Sequence, residues 1–243
     1  MFSTDQSNGN SISPLASNGI QVPSRRLFLT RSAMMTLAGS AAAMLGGKSA
    51  LAAFPREEQK EVGKRGPQKG NFLSIQAHEN AHVAFLVTAL GASARPKPTF
   101  QGLLQPSFSE FVLLAQVLEN TGVGAYLGAA PNINESSILA AAGSIATIEA
   151  RHSGYLNVFL RDPITGNSAD DDTDNTLEAP LTPAQVVAGA GPFIADLNGG
   201  PPVDYSTTKS DQNDIAILNF ALALEYLEAE FYNLNVPKFY GHK

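Results

Sequence analysis

The chain has 243 residues, which suits one globular domain with tails, and a formal net charge of -6. The acidic charge and the lack of a long basic run argue against a nucleic-acid partner, because phosphate binding needs clustered Lys and Arg. The absence of cysteine excludes disulfides, thiolate catalysis and cysteine-ligated metals, so any metal must be held by nitrogen and oxygen.

Residues 1–52 have the pattern of an export signal. Arg25 and Arg26 precede a weakly apolar run over residues 33–47, and the small residues near 50–52 fit a cleavage site. The run is too short and too rich in Ala and Gly to span about 30 Å of hydrocarbon, so we expect no membrane span in the mature chain. The pattern predicts export by the twin-arginine route, to the periplasm or, in a cyanobacterium, to the thylakoid lumen. Residues 53–70 form a charged, solvated lead-in.

Hydrophobic periodicity predicts an all-α fold without strands. Long helices are expected over residues 72–90, 108–130, 137–160 and 214–235, with a short helix from Thr182 to about residue 197. The long helices predict a four-helix bundle over residues 71–236, followed by a tail over 237–243. Three glycines in the second helix, Gly122, Gly124 and Gly128, indicate the close approach of another backbone. The aspartates within residues 170–174 predict a solvated acidic loop, because the glycine and final glutamate of a calcium loop are missing.

Two Glu-x-x-His tetrads stand on the first and third long helices: Glu79 with His82, and Glu149 with His152. Residues three apart share one helix face, so each tetrad can aim a carboxylate and an imidazole at one point. The flanking residues are apolar, which predicts that both tetrads are buried. Since a buried unpaired carboxylate is costly, dications would resolve the conflict between these groups.

The second and last long helices each carry a glutamate followed seven residues later by a tyrosine: Glu119 with Tyr126, and Glu225 with Tyr232. Seven residues is about two turns, so each phenol lies on the face of its carboxylate. We expect the tyrosines to hydrogen-bond the ligand carboxylates. Glu228 and Glu230 are alternatives to Glu225 on the last helix. Six candidate ligands predict a carboxylate-bridged site for two iron or manganese ions. The ligands are Glu79, His82, Glu119, Glu149, His152 and Glu225.

These residues also have simpler interpretations. A lone Glu-x-x-His on a surface helix is common, and a buried polar cluster can be satisfied without metal. The two tyrosines are equally compatible with ordinary core packing. His78 lies about 100° from Glu79 around the helix, so we predict that it is not a ligand. His242 falls in the tail.

Four stretches of the chain resemble bacterial ferritin-like proteins related to plant desiccation-induced proteins. They are AHENAHVAFLVTALG (77–91), LENTGVGAYLGAAPNI (118–133), IEARHSGYL (148–156) and ILNFALALEYLEAEFY (217–232). In that family the helix with LEYLEAEFY comes first, whereas here it comes last, so the chain resembles a circularly permuted version. The resemblance implies a ferritin-like bundle. It places Glu225 on the family's first helix, the Glu79 tetrad on the second, Glu119 on the third and the Glu149 tetrad on the fourth.

The ferritin-like bundle by itself does not fix an activity. Our leading hypothesis is an exported di-iron or dimanganese protein that reacts with oxygen or peroxide in stress protection, in the manner of a ferroxidase or a catalase. Its expected partners are metal ions and the oxidant, and a homo-oligomer is compatible with the sequence. The alternative is a non-enzymatic desiccation or stress protein that uses the bundle as a scaffold.

Overall fold

The computed structural model describes residues 66–165 and 175–241. The export signal, residues 53–65 of the lead-in, the aspartates at 170–174 and His242 lie outside the described residues. The helices are α1 (Gly66–Leu90), α2 (Phe108–Ala129), α3 (Ser136–Leu160), the short α4 (Pro183–Ala190) and α5 (Asp211–Tyr240). Helix α1 packs along α5 and α2 packs along α3, while α2 also contacts α4 and α5. The predicted all-α class is confirmed.

Local capping explains where several helices begin. The Ser107 hydroxyl accepts the backbone N–H of Glu110 at 3.2 Å, which satisfies one of the free donors in the first turn of α2. Thr182 and Gln185 form a reciprocal capping box at α4, with Pro183 in the first turn. The two residues before α3 are held from a distance, because the Asp214 carboxylate of α5 accepts the N–H groups of Asn134 and Glu135 at 2.7 and 2.9 Å. This contact ties the start of α5 to the start of α3.

Two predicted helix boundaries, the end of α4 and the start of α1, and the predicted absence of strands were wrong. Helix α4 ends at Ala190 rather than near residue 197, because Pro192 has no N–H to continue the helical hydrogen bonds, and the chain goes on as a 3₁₀ turn over Gly191–Phe193. The segment beyond forms a strand, β2 (Ile194–Asp196), which pairs antiparallel with β1 (Thr99–Phe100), so the prediction of no strands was also wrong. Strands of two and three residues are too short to show an alternating pattern. Helix α1 begins at Gly66, inside the predicted lead-in, since a proline at position 67 is tolerated in a first turn.

Helix α5 is longer at both ends than predicted. It begins at Asp211, where the Ser210 hydroxyl accepts the N–H of Asn213 at 3.1 Å, and it continues through Pro237 to Tyr240. A proline inside a helix removes one hydrogen bond, which is why the sequence predicted an end near residue 235. The last turn is held by packing, because the Tyr240 ring stacks on Phe72 with ring centroids 5.6 Å apart.

Glycines in α2 allow the segment before α4 to pack directly against the helix backbone. The Leu181 N–H donates to the Gly124 carbonyl at 2.8 Å. A Cβ atom added at Gly128 would lie 1.8 Å from the Leu181 carbonyl oxygen. The close backbone approach predicted for these glycines is confirmed at Gly124 and Gly128.

We therefore expect Gly128→Ala to lower the free energy of unfolding by about 1–3 kcal/mol, the usual cost of overpacking. The matched control is Gly143→Ala on α3, where an added Cβ meets nothing within 4 Å. There the substitution should stabilise the helix by roughly 0.5–1 kcal/mol, because alanine loses less backbone entropy on folding. Urea denaturation followed by circular dichroism measures both changes, and effects of the same sign at the two positions would contradict this account.

Two apolar clusters occupy the core, and the candidate site lies between them along the helices. One cluster is rich in aromatic rings and includes Phe72, Phe111 and Phe231. The other is mainly aliphatic and includes Leu86 and Ile145. On α1, Glu79 lies seven residues after Phe72 and seven before Leu86, which is about two helical turns each way. The three side chains therefore share one face of the helix and are buried together.

Candidate metal centre

All six candidate ligands come together in the centre of the bundle. Helix α1 contributes Glu79 and His82, α2 contributes Glu119, α3 contributes Glu149 and His152, and α5 contributes Glu225. The four glutamates are at most 1% exposed and His152 is 5% exposed. These exposures matter because ionised carboxylates are almost never fully buried without partners.

Three carboxylates converge on the His82 ring. The Nδ1 atom of His82 lies 3.0 Å from Glu149 Oε1, 3.2 Å from Glu225 Oε2 and 3.3 Å from Glu79 Oε2. A single ring nitrogen carries at most one proton, so it cannot satisfy three acceptors at nearly equal distances.

The same arrangement recurs around His152. Its Nδ1 atom lies 3.0 Å from Glu79 Oε1, 3.1 Å from Glu119 Oε2 and 4.0 Å from Glu149 Oε2. Two groups of four residues result, and in each the ligand atoms lie within 4.8 Å of one another. Glu79 and Glu149 belong to both groups, whereas each histidine belongs to one.

Two buried tyrosines donate hydrogen bonds to Glu225 and Glu119, the glutamates that each belong to only one of the two groups. The Tyr126 hydroxyl donates to Glu225 Oε1 at 2.6 Å, and the Tyr232 hydroxyl donates to Glu119 Oε1 at 2.6 Å. Each phenol therefore bonds the glutamate of the opposite helix of the α2–α5 pair, rather than the one seven residues before it. The arrangement leaves the second oxygen of each of these carboxylates facing a histidine.

A family model described as "Ferritin-like domain" matches residues 47–162 and 213–242. The chain belongs to the ferritin-like domain family. The match includes every candidate ligand and omits residues 163–212, which contain α4 and β2. Searches of curated proteins and of solved structures give no significant match to the chain. Within the described residues, no helix combines the length and hydropathy needed to cross a bilayer.

The cluster of this ferritin-like protein has more carboxylate oxygens than hydrogen-bond donors, and this arrangement suits metal ions. Four buried carboxylate oxygens make no hydrogen bond: Glu79 Oε1, both oxygens of Glu149 and Glu225 Oε2. Each lies about 3 to 4 Å from a histidine Nδ1 that is already shared among other acceptors. Oxygen atoms that converge without donors are what a cation would satisfy. The buried Glu and His residues can thus hold metal.

Burial and mutual repulsion disfavour ionisation of the central carboxylates. Burial, followed by the charge of Glu149, raises the pKa of Glu79 to about 7, against the two neighbouring histidines, which lower it. Burial and the charges of Glu119 and Glu225 raise the pKa of Glu149 well above its usual range. Burial disfavours the imidazolium of His82, but the close carboxylates of Glu149, Glu225 and Glu79 outweigh it and raise the pKa of His82 to about 12.

These shifts predict that the metal-free protein loses stability as the pH rises. The pKa of Glu79 increases from 4.5 to about 7 on folding, so between these values the folded state binds more protons than the unfolded state. One extra bound proton lowers the free energy of unfolding by about 1.4 kcal/mol per pH unit in this window. The raised pKa of His82 acts in the same direction from about pH 6.5 upward. Chemical denaturation of chelator-treated protein from pH 4.5 to 7.5 checks this, and a stability that rises with pH would contradict it.

Glu228 and Glu230 are the alternatives to Glu225 on α5, and of these two only Glu228 lies near the cluster. Glu228 is 3% exposed, and a Cβ added at Gly122 would lie 3.4 Å from its Oε1 and 3.5 Å from Glu149 Oε2. Burial and then the charge of Glu149 raise the pKa of Glu228 well above its usual range. It is nevertheless absent from both ligand groups. Glu230 instead forms an ion pair with Lys97, with Nζ and Oε2 2.6 Å apart.

His78 makes a contact that our sequence predictions did not include. Its Nδ1 lies 2.9 Å from Nε2 of His152, and the two rings stack with an interplanar angle of 8°. Although burial lowers it, the charge of Glu119 and the other close carboxylates raise the pKa of His152 to about 11, so both ring nitrogens are protonated and Nε2–H can donate to His78. Burial and the two neighbouring histidines lower the pKa of His78, which keeps its ring a neutral acceptor. The signal was available, since residues 78 and 82 are four apart and share a helix face.

Proposed function

We propose that this ferritin-like protein binds two iron or manganese ions at the cluster and uses them to react with dioxygen or peroxide in stress protection. The observation that carries the proposal is the convergence of three carboxylates on each histidine Nδ1, with four buried oxygens lacking a donor. Carboxylate oxygens with one imidazole per ion suit iron and manganese by geometry and hardness.

The ligand groups suggest how the residues divide between the two ions. Glu79 and Glu149 belong to both groups and would bridge the ions. His82 and Glu225 would bind one ion, and His152 and Glu119 the other. Once bound, two reduced ions can supply one electron each, converting dioxygen and two protons to hydrogen peroxide, or peroxide and two protons to two waters.

The surrounding residues prepare the ligands for this role. Tyr126 and Tyr232 each fix one carboxylate oxygen at 2.6 Å, so the other oxygen remains free for a metal. His78 orients the His152 ring from the solvent side, and such outer partners tune ligand basicity. The apolar clusters above and below exclude water, which strengthens the electrostatic interactions inside.

We also propose that the helix order is circularly permuted relative to the desiccation-related proteins that the chain resembles, and that the protein is exported. Helix α5 packs along α1, which supports its equivalence to a helix that would otherwise precede α1. The segment from Arg161 to Ser210 is long enough to return the chain along the length of a helix.

Metal binding is tested by melting curves with Fe(II) or Mn(II) and with a chelator, together with elemental analysis. Ions that bind only the folded state should add about 2.7 kcal/mol at a hundredfold excess over Kd. We expect two ions per chain and a clear rise in melting temperature. Identical curves in both conditions and no bound metal would favour the scaffold hypothesis instead.

A further inference from the structure

An apolar cavity of about 20 Å³ lies beside the cluster, and the proposed function does not yet use it. Its inner wall includes Tyr126 and Leu224, the second of which precedes the candidate ligand Glu225 in sequence. Its outer wall includes Phe85, which is 48% exposed, and the half-buried Ile138 and Leu218. The cavity therefore extends from the surface side of the bundle to a residue that hydrogen-bonds a candidate ligand.

The cavity offers almost nothing to a polar guest. Its lining side chains are apolar except for Tyr126, whose hydroxyl already donates to Glu225 at 2.6 Å. A volume of about 10–15 Å³ is enough to hold one water molecule, so the cavity is large enough for water. A buried water also needs about two to four polar partners, which this lining does not provide. Apolar cavities that lack such partners stay dry and accept gases such as xenon.

Two oxidants remain in the proposed function, and the cavity distinguishes them. Hydrogen peroxide carries two hydroxyl donors, which would lose their hydrogen bonds to water on entering an apolar space. Dioxygen has no such donors and is small enough for the cavity. A second cavity, of about 10 Å³, is bordered by Glu228 and Thr121 and is the more polar of the two.

We propose that the apolar cavity at Tyr126 is a dioxygen-binding site and delivers dioxygen, rather than peroxide, to the metal centre. This inference rests on the proposed function and deepens it by naming the oxidant. Tyr126 forms the boundary between the cavity and the carboxylates, since its ring lines the cavity and its hydroxyl bonds Glu225.

The test fills the cavity without touching the ligands. Ala142→Leu adds three carbons at a buried lining position of α3, whereas the control Ala140→Leu makes the same change at an exposed position of the same helix. Ile138→Phe is a second filling variant, at a half-buried position that tolerates bulk if Ala142→Leu does not fold.

Xenon is the first probe, and it is applied to metal-free protein so that the result does not depend on activity. We expect xenon in the cavity of the wild-type protein and of Ala140→Leu, by ¹²⁹Xe NMR or pressurised crystals, and none in Ala142→Leu. Stopped-flow oxidation of the Fe(II)-loaded proteins is the second probe. The rate constant with dioxygen should fall about tenfold in the filled variants, while that with peroxide changes by less than about twofold.

Absence of xenon from the wild-type cavity would overturn the inference. So would an unchanged rate with dioxygen in a folded filling variant, or an equal slowing with peroxide. In each of these cases the metal centre itself would still stand. A protein that binds xenon but takes up no metal would overturn the proposed function. It would also overturn the role of the cavity as a route for dioxygen to the metal.

Discussion

Ending the chain at Ser210, and so removing α5, is expected to abolish folding of the bundle. Helix α5 buries an apolar face along α1 and α2 and supplies Glu225, so its loss exposes both apolar clusters at once. The buried apolar residues lost include Ile217, Leu222, Leu227, Phe231 and Val236. Fully burying each such side chain contributes about 1.5–3 kcal/mol, against a net domain stability of about 5–15 kcal/mol. Circular dichroism and size-exclusion chromatography should show an aggregated or unfolded chain.

The matched control ends the chain at Gly241, which leaves α5 intact and should melt like the full protein. A peptide covering residues 211–241, added to the truncated chain, should restore helicity and metal uptake. A soluble truncated chain with a cooperative melting curve and unchanged metal content would show that α5 is not part of the bundle core.

Glu149→Gln should have opposite effects on the metal-free and the metal-loaded protein. Glu149 is fully buried, belongs to both ligand groups, and has two oxygens without a hydrogen bond. A neutral amide of the same shape removes a carboxylate whose ionisation burial opposes, and we expect the metal-free protein to gain about 1–3 kcal/mol. The same change removes the proposed bridging ligand, so the stabilisation by Fe(II) or Mn(II), about 2.7 kcal/mol at a hundredfold excess, should disappear.

Melting curves with and without metal measure both effects on one variant. The control is Glu230→Gln on α5, which removes a carboxylate paired with Lys97 away from the cluster and should leave metal stabilisation intact. Loss of stability in the metal-free Glu149→Gln protein, with metal stabilisation retained, would contradict both the electrostatic account of the cluster and the bridging role.

The sequence predicted the long helices well because their signals are local. The repeat of apolar residues every three to four positions is a property of short segments. The same local geometry placed Glu79 with His82 and Glu149 with His152 on one face of their helices, before any contact between helices was known.

Spacing favoured Glu225 among the glutamates of α5, because Tyr232 follows it as Tyr126 follows Glu119, but spacing did not exclude Glu228. Glu225 and Glu228 are three residues apart and share a face, and both are buried. The choice depends on the partner helix, because His82 of α1 lies 3.2 Å from Glu225 and both ligand groups omit Glu228. The crossed pairing of Tyr126 with Glu225 and Tyr232 with Glu119 also depends on how α2 and α5 lie side by side.

The amino-acid sequence by itself determined the helical class of this ferritin-like protein, the faces of its helices and the residue types of its candidate metal centre. Only the tertiary structure decided that α5 continues through Pro237, that Asp214 binds the two residues before α3 and that residues 99–100 pair with 194–196. The physical reason is the range of the interactions. Helix periodicity joins residues three or four apart, whereas Tyr240 stacks on Phe72 from the far end of the chain, and such contacts exist only once the helices have packed.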